Sequence, residues 1–208
     1  MTAQETRKRL DTVYGVSGPE ATRSFYDDWA ASYDDELGEH AYVTPERCAA
    51  ALAAHASDRA QPVADFACGT GLSGAALRDA GFTTIDGFDL SPGMLDKARA
   101  LGIYRNLAVA DLSKPLKLKA GVYANAAAVG CITTDYMPVT VIDDILGKLP
   151  KGGCFVFSVN DRAAADRRIE GRINELIDCG WAELLHSEHG DHIPKIGLGA
   201  TVYVLRRR

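Results

Sequence analysis

Beyond residue 62, short apolar runs alternate with segments in which apolar residues recur every three or four positions. The short runs predict β-strands and the helical periodicity predicts α-helices. The predicted strands cover residues 63–66, 83–88, 107–110, 122–129, 154–159, 181–187 and 200–205. Repeated strand–helix units favour an α/β fold, a doubly wound and mostly parallel seven-stranded sheet with helices on both faces. No helix fits between the last two strands, so we expect them to form a C-terminal antiparallel hairpin.

The first 58 residues have a helical pattern instead. Phe25, Tyr26, Trp29 and Tyr33 recur at helical spacing, which gathers their rings on one side. Thr44, followed by proline, predicts a helix start with Thr44 as the N-cap. We expect a helical segment over residues 1–58 and an α/β domain over residues 59–208, folded as one compact unit.

Composition narrows the class of protein. The chain has 208 residues, and its net charge of −5 argues against a nucleic-acid partner, because phosphate binding requires a basic surface. No stretch approaches the roughly 20 apolar residues of a membrane span, and the polar first residues are unlike a signal peptide. The five scattered cysteines favour reduced thiols in a cytoplasmic protein over a disulfide frame or a zinc site.

A glycine-rich turn follows the first predicted strand. Gly69, Gly71 and Gly74 form a G-x-G-x-x-G pattern, which lets backbone approach a ligand closely and directs helix N–H groups at a negative group. Asp89 follows Gly69 by 20 positions, where such sheets place a carboxylate against a ribose. The pattern favours a nucleotide-bearing cofactor, and a turn needed only for packing is the alternative interpretation.

Acidic residues stand near the predicted carboxyl ends of three successive strands. Asp65 lies in the first strand, Asp89 follows the second and Asp111 follows the third. These positions suit, in turn, the amino-acid, ribose and adenine parts of one small cofactor. A dinucleotide oxidoreductase usually needs a further substrate domain, for which the chain has no length.

Three motifs in order resemble those of class I S-adenosylmethionine-dependent methyltransferases, over about residues 20–206. They are residues 65–71 (DFACGTG), 88–95 (FDLSPGML) and 110–112 (ADL). The resemblance implies a Rossmann-like fold and S-adenosyl-L-methionine as cofactor, with S-adenosyl-L-homocysteine as product. Residues 25–34 (FYDDWAASYD), 101–104 (LGIY), 130–131 (GC) and 155–158 (FVFS) are most similar to the methyltransferase-like proteins of the Williams–Beuren syndrome region.

The resemblance implies cofactor contacts at individual positions. The backbone around four small residues is expected to face the methionine part, namely Ala67, Cys68, Gly69 and Gly71. Asp89 is expected to accept hydrogen bonds from both ribose hydroxyls, since a carboxylate has two acceptor oxygens.

Further contacts are implied around the adenine and the ammonium group. Leu90 and Met94 are expected to flank the adenine, and Asp111 to accept from its amino group with Leu112 beside it. Asp65 is expected to order the glycine turn and the ammonium group. For the three aspartates, a solvated loop carboxylate is the alternative interpretation.

The helical segment 1–58 is predicted to be a lid over the methyltransferase domain 59–208. Tyr26, Trp29 and Tyr33 are expected to close over the cofactor, because aromatic faces suit a sulfonium cation. Tyr33 is the preferred cofactor contact. The alternative is that these rings only dock the helix onto the sheet.

Two polar segments are candidates for chemistry. After the fourth strand, Asp135 or Tyr136 is predicted to accept a proton or to orient the methyl acceptor. A polar turn capping the helix that begins at Pro138 is the alternative. Residues 186–192 hold three histidines and two carboxylates, but their spacing matches no standard metal site. A polar hairpin turn explains that segment more simply, and no metal is predicted.

The sequence therefore predicts an S-adenosylmethionine-dependent methyltransferase that acts on a small molecule. It is expected to be a monomer or a homodimer, without nucleic-acid or membrane partners. A non-catalytic protein that binds S-adenosylmethionine is the first alternative, and an NAD(P)-dependent reductase is the second.

Overall fold

The computed structural model describes residues 9, 12, 15–133 and 137–208, and its centre is a seven-stranded sheet. The strands are β1 (Val63–Phe66), β2 (Ile85–Asp89), β3 (Asn106–Val109), β4 (Asn125–Ala128), β5 (Cys154–Asn160), β6 (Ala182–Ile193) and β7 (Leu198–Arg207). Their order is β3-β2-β1-β4-β5-β7-β6. β1 to β5 pair in parallel, and β7 pairs antiparallel with both β5 and β6. The predicted mostly parallel sheet with a C-terminal antiparallel hairpin is confirmed.

Helices cover both faces of the sheet. They are α1 (Pro19–Trp29), α2 (Tyr33–Glu39), α3 (Thr44–His55), α4 (Leu72–Asp79), α5 (Pro92–Ala100), α6 (Val141–Lys148), α7 (Asp161–Ala164) and α8 (Arg167–Asp178). Among the described residues, none of these helices has the length and apolar character that a membrane crossing requires.

The core lies in two layers because successive side chains of a strand point to opposite faces. On one face, Val63 of β1 packs in a cluster with Leu52 of α3 and Leu77 of α4. On the other face, Phe66 of β1 shares a cluster with Ile145 of α6. The parallel strands β1, β4 and β5 are buried throughout, so their carboxyl ends form one rigid edge between the two layers.

The prediction of a polar turn at residues 186–192 is wrong. These residues belong to β6, and the chain turns only at the short 3₁₀ helix Pro194–Ile196. β6 forms the edge of the sheet, where polar side chains stay in water on a paired strand. The exposed His189, for example, pairs with Asp161 through Nε2 and Oδ1 at 2.8 Å. A polar edge strand therefore has the composition of a turn.

The predicted N-cap role of Thr44 is also wrong. Val43 occupies the N-cap of α3, and Thr44 is the first helical residue. The Thr44 hydroxyl is instead hydrogen-bonded to Nδ1 of His192 at 2.7 Å, and both residues are buried. This long-range contact joins α3 to the C-terminal hairpin.

Candidate functional site

A cavity of about 150 Å³ lies at the carboxyl ends of the central strands, where doubly wound sheets bind their ligands. Seven of the predicted cofactor-binding residues line it: Tyr33, Ala67, Gly69, Asp89, Leu90, Met94 and Leu112. Four others lie around it. Asp65 and Cys68 are buried, Gly71 is the N-cap of α4 and Asp111 lines a neighbouring cavity. The predicted catalytic residues Asp135 and Tyr136 lie outside the described residues.

The turn after β1 depends on left-handed backbone. Gly71 has φ 104° and Ala67 has φ 51°. Such φ values suit glycine, and the backbone of Ala67 adopts one although residues with a Cβ rarely do. The turn brings the Gly69 N–H within 2.8 Å of Asp89 Oδ2, to which it donates. The ends of β1 and β2 are thereby joined at the wall of the cavity.

The third glycine of the G-x-G-x-x-G pattern serves packing. A Cβ at Gly74 would overlap the hydroxyl of Tyr104. A Cβ at Gly71 would lie 3.3 Å from Cε2 of the same ring, and one at Gly87 would lie 2.9 Å from its Cε1. Gly74 therefore makes room for the Tyr104 ring behind the turn, whereas the atoms nearest to a Cβ at Gly71 and at Gly87 belong to Leu101 and Leu107, each at 2.7 Å.

Asp89 connects the two loops that border the cavity. Besides the bond from Gly69, its Oδ1 accepts from the Ser91 N–H at 2.8 Å. Burial raises the pKa of Asp89, and the Ser91 and Gly69 N–H donors oppose that rise. Each carboxylate oxygen has a further lone pair, so a carboxylate fixed in this way can accept two more hydrogen bonds from a ligand.

Asp65 lies in a buried network below the turn. Its Oδ2 accepts from the Ser73 hydroxyl at 2.7 Å and from the Tyr104 hydroxyl at 2.8 Å. Its Oδ1 is buried and has no partner among the described residues. Burial raises the pKa of Asp65 to about 7, against the lowering effect of the Ser73 and Tyr104 hydrogen bonds. This carboxyl therefore titrates near neutral pH.

Replacing Asp65 with asparagine is expected to remove a pH dependence of stability. The folded carboxyl holds its proton up to about pH 7, whereas an unfolded aspartate releases it at about pH 3.9. The stability from Asp65 is therefore fully present below about pH 4 and is lost as the pH rises to 7. Between about pH 5 and pH 8, we expect the wild type to lose on the order of 3 kcal/mol through this group.

Urea unfolding at these two pH values, for wild type and Asp65→Asn, measures the effect. His192 acts in the opposite direction, because burial lowers its pKa to about 4. The stability that His192 contributes is lost as the pH falls from about 6.5 to 4. Since both proteins contain His192, the difference between their unfolding free energies isolates Asp65. An equal difference at both pH values would contradict the assignment.

Asp111 faces a second cavity, which adjoins the first at Leu90. Its Oδ1 accepts from the N–H of Ser113 at 3.0 Å, and its Oδ2 pairs with Lys114 Nζ at 2.7 Å. Leu90 lines both cavities, and Leu112 lines the first. The predicted adenine contacts are thus split between two adjoining spaces.

The roof of the first cavity comes from the N-terminal helices. Tyr26 of α1 and Tyr33 of α2 line the cavity, whereas Trp29 is only 2% exposed and lies behind them. The Trp29 ring packs edge-on against Tyr33 at 4.8 Å and stacks on Tyr26 at 6.1 Å between centroids. Burial, followed by the neighbouring Tyr26, raises the pKa of Tyr33. The buried Trp29 thus packs the two helices together, and Tyr26 and Tyr33 face the cavity.

Two aspartates that the sequence analysis missed fasten this roof. Asp27 of α1 accepts through Oδ1 from the Ser91 hydroxyl at 2.5 Å and from the Gly93 N–H at 3.0 Å. Asp34 of α2 accepts from the hydroxyl of Thr70 in the glycine turn at 2.5 Å. Each follows a cavity-lining tyrosine directly, and this repeated Tyr-Asp pair is the signal by which the sequence could have indicated them.

The far wall of the cavity has uncharged side chains. Gly130, Cys131, Thr133, Met137 and Asn160 line it, after β4 and at the end of β5. The Gly130 N–H donates to the Ser158 hydroxyl at 2.8 Å, and the side-chain oxygen of Asn160 accepts from the Ala163 N–H at 2.9 Å. These bonds fix the wall to the ends of two central strands.

No protein-family model matches the chain. Human methyltransferase-like protein 27 is 33% identical over 156 residues, which are 71% of this chain and 62% of that protein. The chain thus spans less than two thirds of the length of this curated relative.

Solved structures share the fold at lower identity. A chain of the Haloferax volcanii complex that contains the Trm112 methyltransferase activator is 19% identical, with a TM-score of 0.64, and the match covers 86% of this chain and 96% of that one. An S-adenosylmethionine-dependent methyltransferase from Mesorhizobium loti is 21% identical, with a TM-score of 0.55 over 71% of this chain and 91% of that one. The chain belongs to the class I S-adenosylmethionine-dependent methyltransferases and is related to methyltransferase-like protein 27.

Proposed function

We propose that this protein binds S-adenosyl-L-methionine in the cavity and transfers its methyl group to a small molecule. The observation that carries the proposal is the position of the Asp89 carboxylate, held by two backbone N–H groups beside the glycine turn and under an aromatic roof. Ribose hydroxyls need a fixed carboxylate with two acceptor oxygens. A sulfonium cation is stabilised by aromatic faces such as those of Tyr26 and Tyr33.

The residues around the cavity fit the parts of this cofactor. Gly69 and Ala67 would contact the methionine part, with Asp89 at the ribose. Leu90 and Met94 would flank the adenine. Asp111 lines the adjoining cavity, and Leu90 lines both cavities. This proximity supports the predicted contact between Asp111 and the adenine amino group.

Two features disfavour a dinucleotide. The antiparallel β7 lies between β5 and β6, whereas the dinucleotide-binding sheet has the order 3-2-1-4-5-6. The space at Gly74, which a pyrophosphate-binding turn keeps for helix–strand packing, holds the Tyr104 ring. We therefore infer a cofactor with one nucleoside.

A small acceptor is supported by the size and charge of the cavity. Among its described lining residues, Asp89 is the one charged side chain. The cofactor supplies an activated methyl group, so the chain has to orient an acceptor atom and exclude water. We infer that residues 1–58 act as the lid, and that Asp135 or Tyr136 orients the acceptor. We also propose a cytoplasmic monomer or homodimer.

Calorimetry with S-adenosyl-L-methionine, S-adenosyl-L-homocysteine and NADH tests the cofactor. We expect the first two to bind and NADH not to bind. Tight NADH binding without S-adenosyl-L-methionine binding would contradict the proposal.

A second measurement tests turnover. Formation of S-adenosyl-L-homocysteine is followed with a panel of small alcohols, phenols, thiols and amines. Cofactor binding without product formation from any of these acceptors would favour the non-catalytic alternative.

A further inference from the structure

Thr22 places a buried hydroxyl in the roof of the cavity. The residue is 8% exposed and lines the cavity one helical turn before Tyr26. Its backbone N–H donates to the Gly18 carbonyl at 3.0 Å. Its Oγ1, however, is buried and has no hydrogen-bond partner among the described residues.

Such a hydroxyl is unusual in a folded protein. Buried polar groups are nearly always hydrogen-bonded, because the loss of water contacts is unfavourable unless another partner replaces them. A threonine in a helix often bonds back to a carbonyl in the preceding turn, and Thr22 does not. Its position at the cavity indicates that a ligand atom supplies the missing partner.

The contacts of α1 indicate which part of the ligand lies near Thr22. Asp27 of this helix is hydrogen-bonded to Ser91 and Gly93, immediately after the Asp89–Leu90 segment. The side of α1 that carries Pro19 and Arg23 borders the adjoining cavity, together with Leu90 and Asp111. The first turns of α1 therefore lie at the end of the site that holds the proposed ribose and adenine positions.

We propose that Thr22 is a cofactor-binding residue whose hydroxyl forms a hydrogen bond with the nucleoside part. This assignment rests on the proposed function. The hydroxyl can either donate or accept, so it suits a ribose hydroxyl or an adenine ring nitrogen. Thr22 then contacts the nucleoside from α1, and Asp89 contacts it from the end of β2.

Thr22→Val tests this assignment because valine keeps the shape of threonine and removes the hydroxyl. We expect S-adenosyl-L-homocysteine and 5′-methylthioadenosine each to bind roughly ten-fold more weakly, measured by calorimetry. Thr22→Ser should retain most of the affinity. Thr83→Val, which makes the same substitution at an exposed residue that lines neither cavity, is the matched control and should bind like the wild type.

The ligand-free proteins give a second readout. Since valine leaves no unpaired hydroxyl, Thr22→Val should unfold at a temperature equal to or roughly 2–4 °C above that of the wild type. Weaker binding together with undiminished stability is the signature of a ligand contact, which a purely structural role would not produce.

Three outcomes would overturn the assignment. Affinity within two-fold of the wild type for both probes excludes the contact. A loss confined to S-adenosyl-L-homocysteine would move the contact to the amino-acid end. A wild-type chain that binds neither probe contradicts the proposed function itself, and the assignment to a cofactor nucleoside falls with it.

Discussion

Asp89→Ala is expected to weaken the binding of S-adenosyl-L-homocysteine by about 100-fold to 10,000-fold. The variant removes the acceptor for two ribose hydroxyls, and a hydrogen bond to a charged group contributes about 1.5–3 kcal/mol. Two such bonds amount to about 3–6 kcal/mol, where each 1.4 kcal/mol is a factor of about ten. Calorimetry with S-adenosyl-L-homocysteine measures the loss.

The matched control is Asp96→Ala, which removes an exposed carboxylate of α5 that pairs with Arg99. It should bind like the wild type. Because Asp89 also accepts from the N–H groups of Gly69 and Ser91, thermal unfolding has to confirm that the variant remains folded. A folded Asp89→Ala protein with affinity within ten-fold of the wild type would refute the ribose assignment.

Gly74→Ala is expected to destabilise the protein by about 2–6 kcal/mol. The added methyl group would overlap Tyr104, and inserting a methyl group into a packed core costs about 1–3 kcal/mol. Displacing the ring also breaks its hydrogen bond to the buried Asp65 carboxyl, and the unsatisfied buried acceptor costs about another 1–3 kcal/mol. Urea unfolding measures the sum.

Two comparisons make this prediction specific. Gly171→Ala in α8 meets no atom within 4 Å and should stabilise the helix by about 1 kcal/mol. In a Tyr104→Ala background, Gly74→Ala should cost much less than in the wild type, because the two sites are coupled. Equal costs in both backgrounds would show that Gly74 has a role other than accommodating Tyr104.

The sequence predicts the central strands well because they are short and buried on both faces. β1, β4 and β5 are fully buried, so burial on both sides produces continuous apolar runs. The edge strand β6 has no such constraint, and its histidines and carboxylates give it the composition of a turn. The sequence also predicts strand ends poorly, since β4 begins at Asn125 although the apolar run begins at residue 122.

The site is predictable where its residues belong to a local motif. Asp89 ends β2, Gly69 follows β1, and both line the cavity. The Tyr-Asp pair could have indicated Asp27 but not its partner, and Thr22 belongs to no such motif. Asp27 contacts Ser91 across 64 positions of the chain, and Thr22 is distinguished by a missing partner. Both properties exist only in three dimensions.

The Tyr104 ring has a consequence for how this family varies. No side chain fits at Gly71, Gly74 or Gly87, because the Tyr104 ring or the side chains beside it occupy the space. A smaller residue at position 104 would release Gly74 alone, because a Cβ at Gly71 would still lie 2.7 Å from Leu101 Cδ1 and one at Gly87 would lie 2.7 Å from Leu107 Cδ2. We therefore expect positions 74 and 104 to covary among relatives, independently of Asp89. The third glycine of the G-x-G-x-x-G pattern then reflects the size of one aromatic ring rather than the identity of a cofactor.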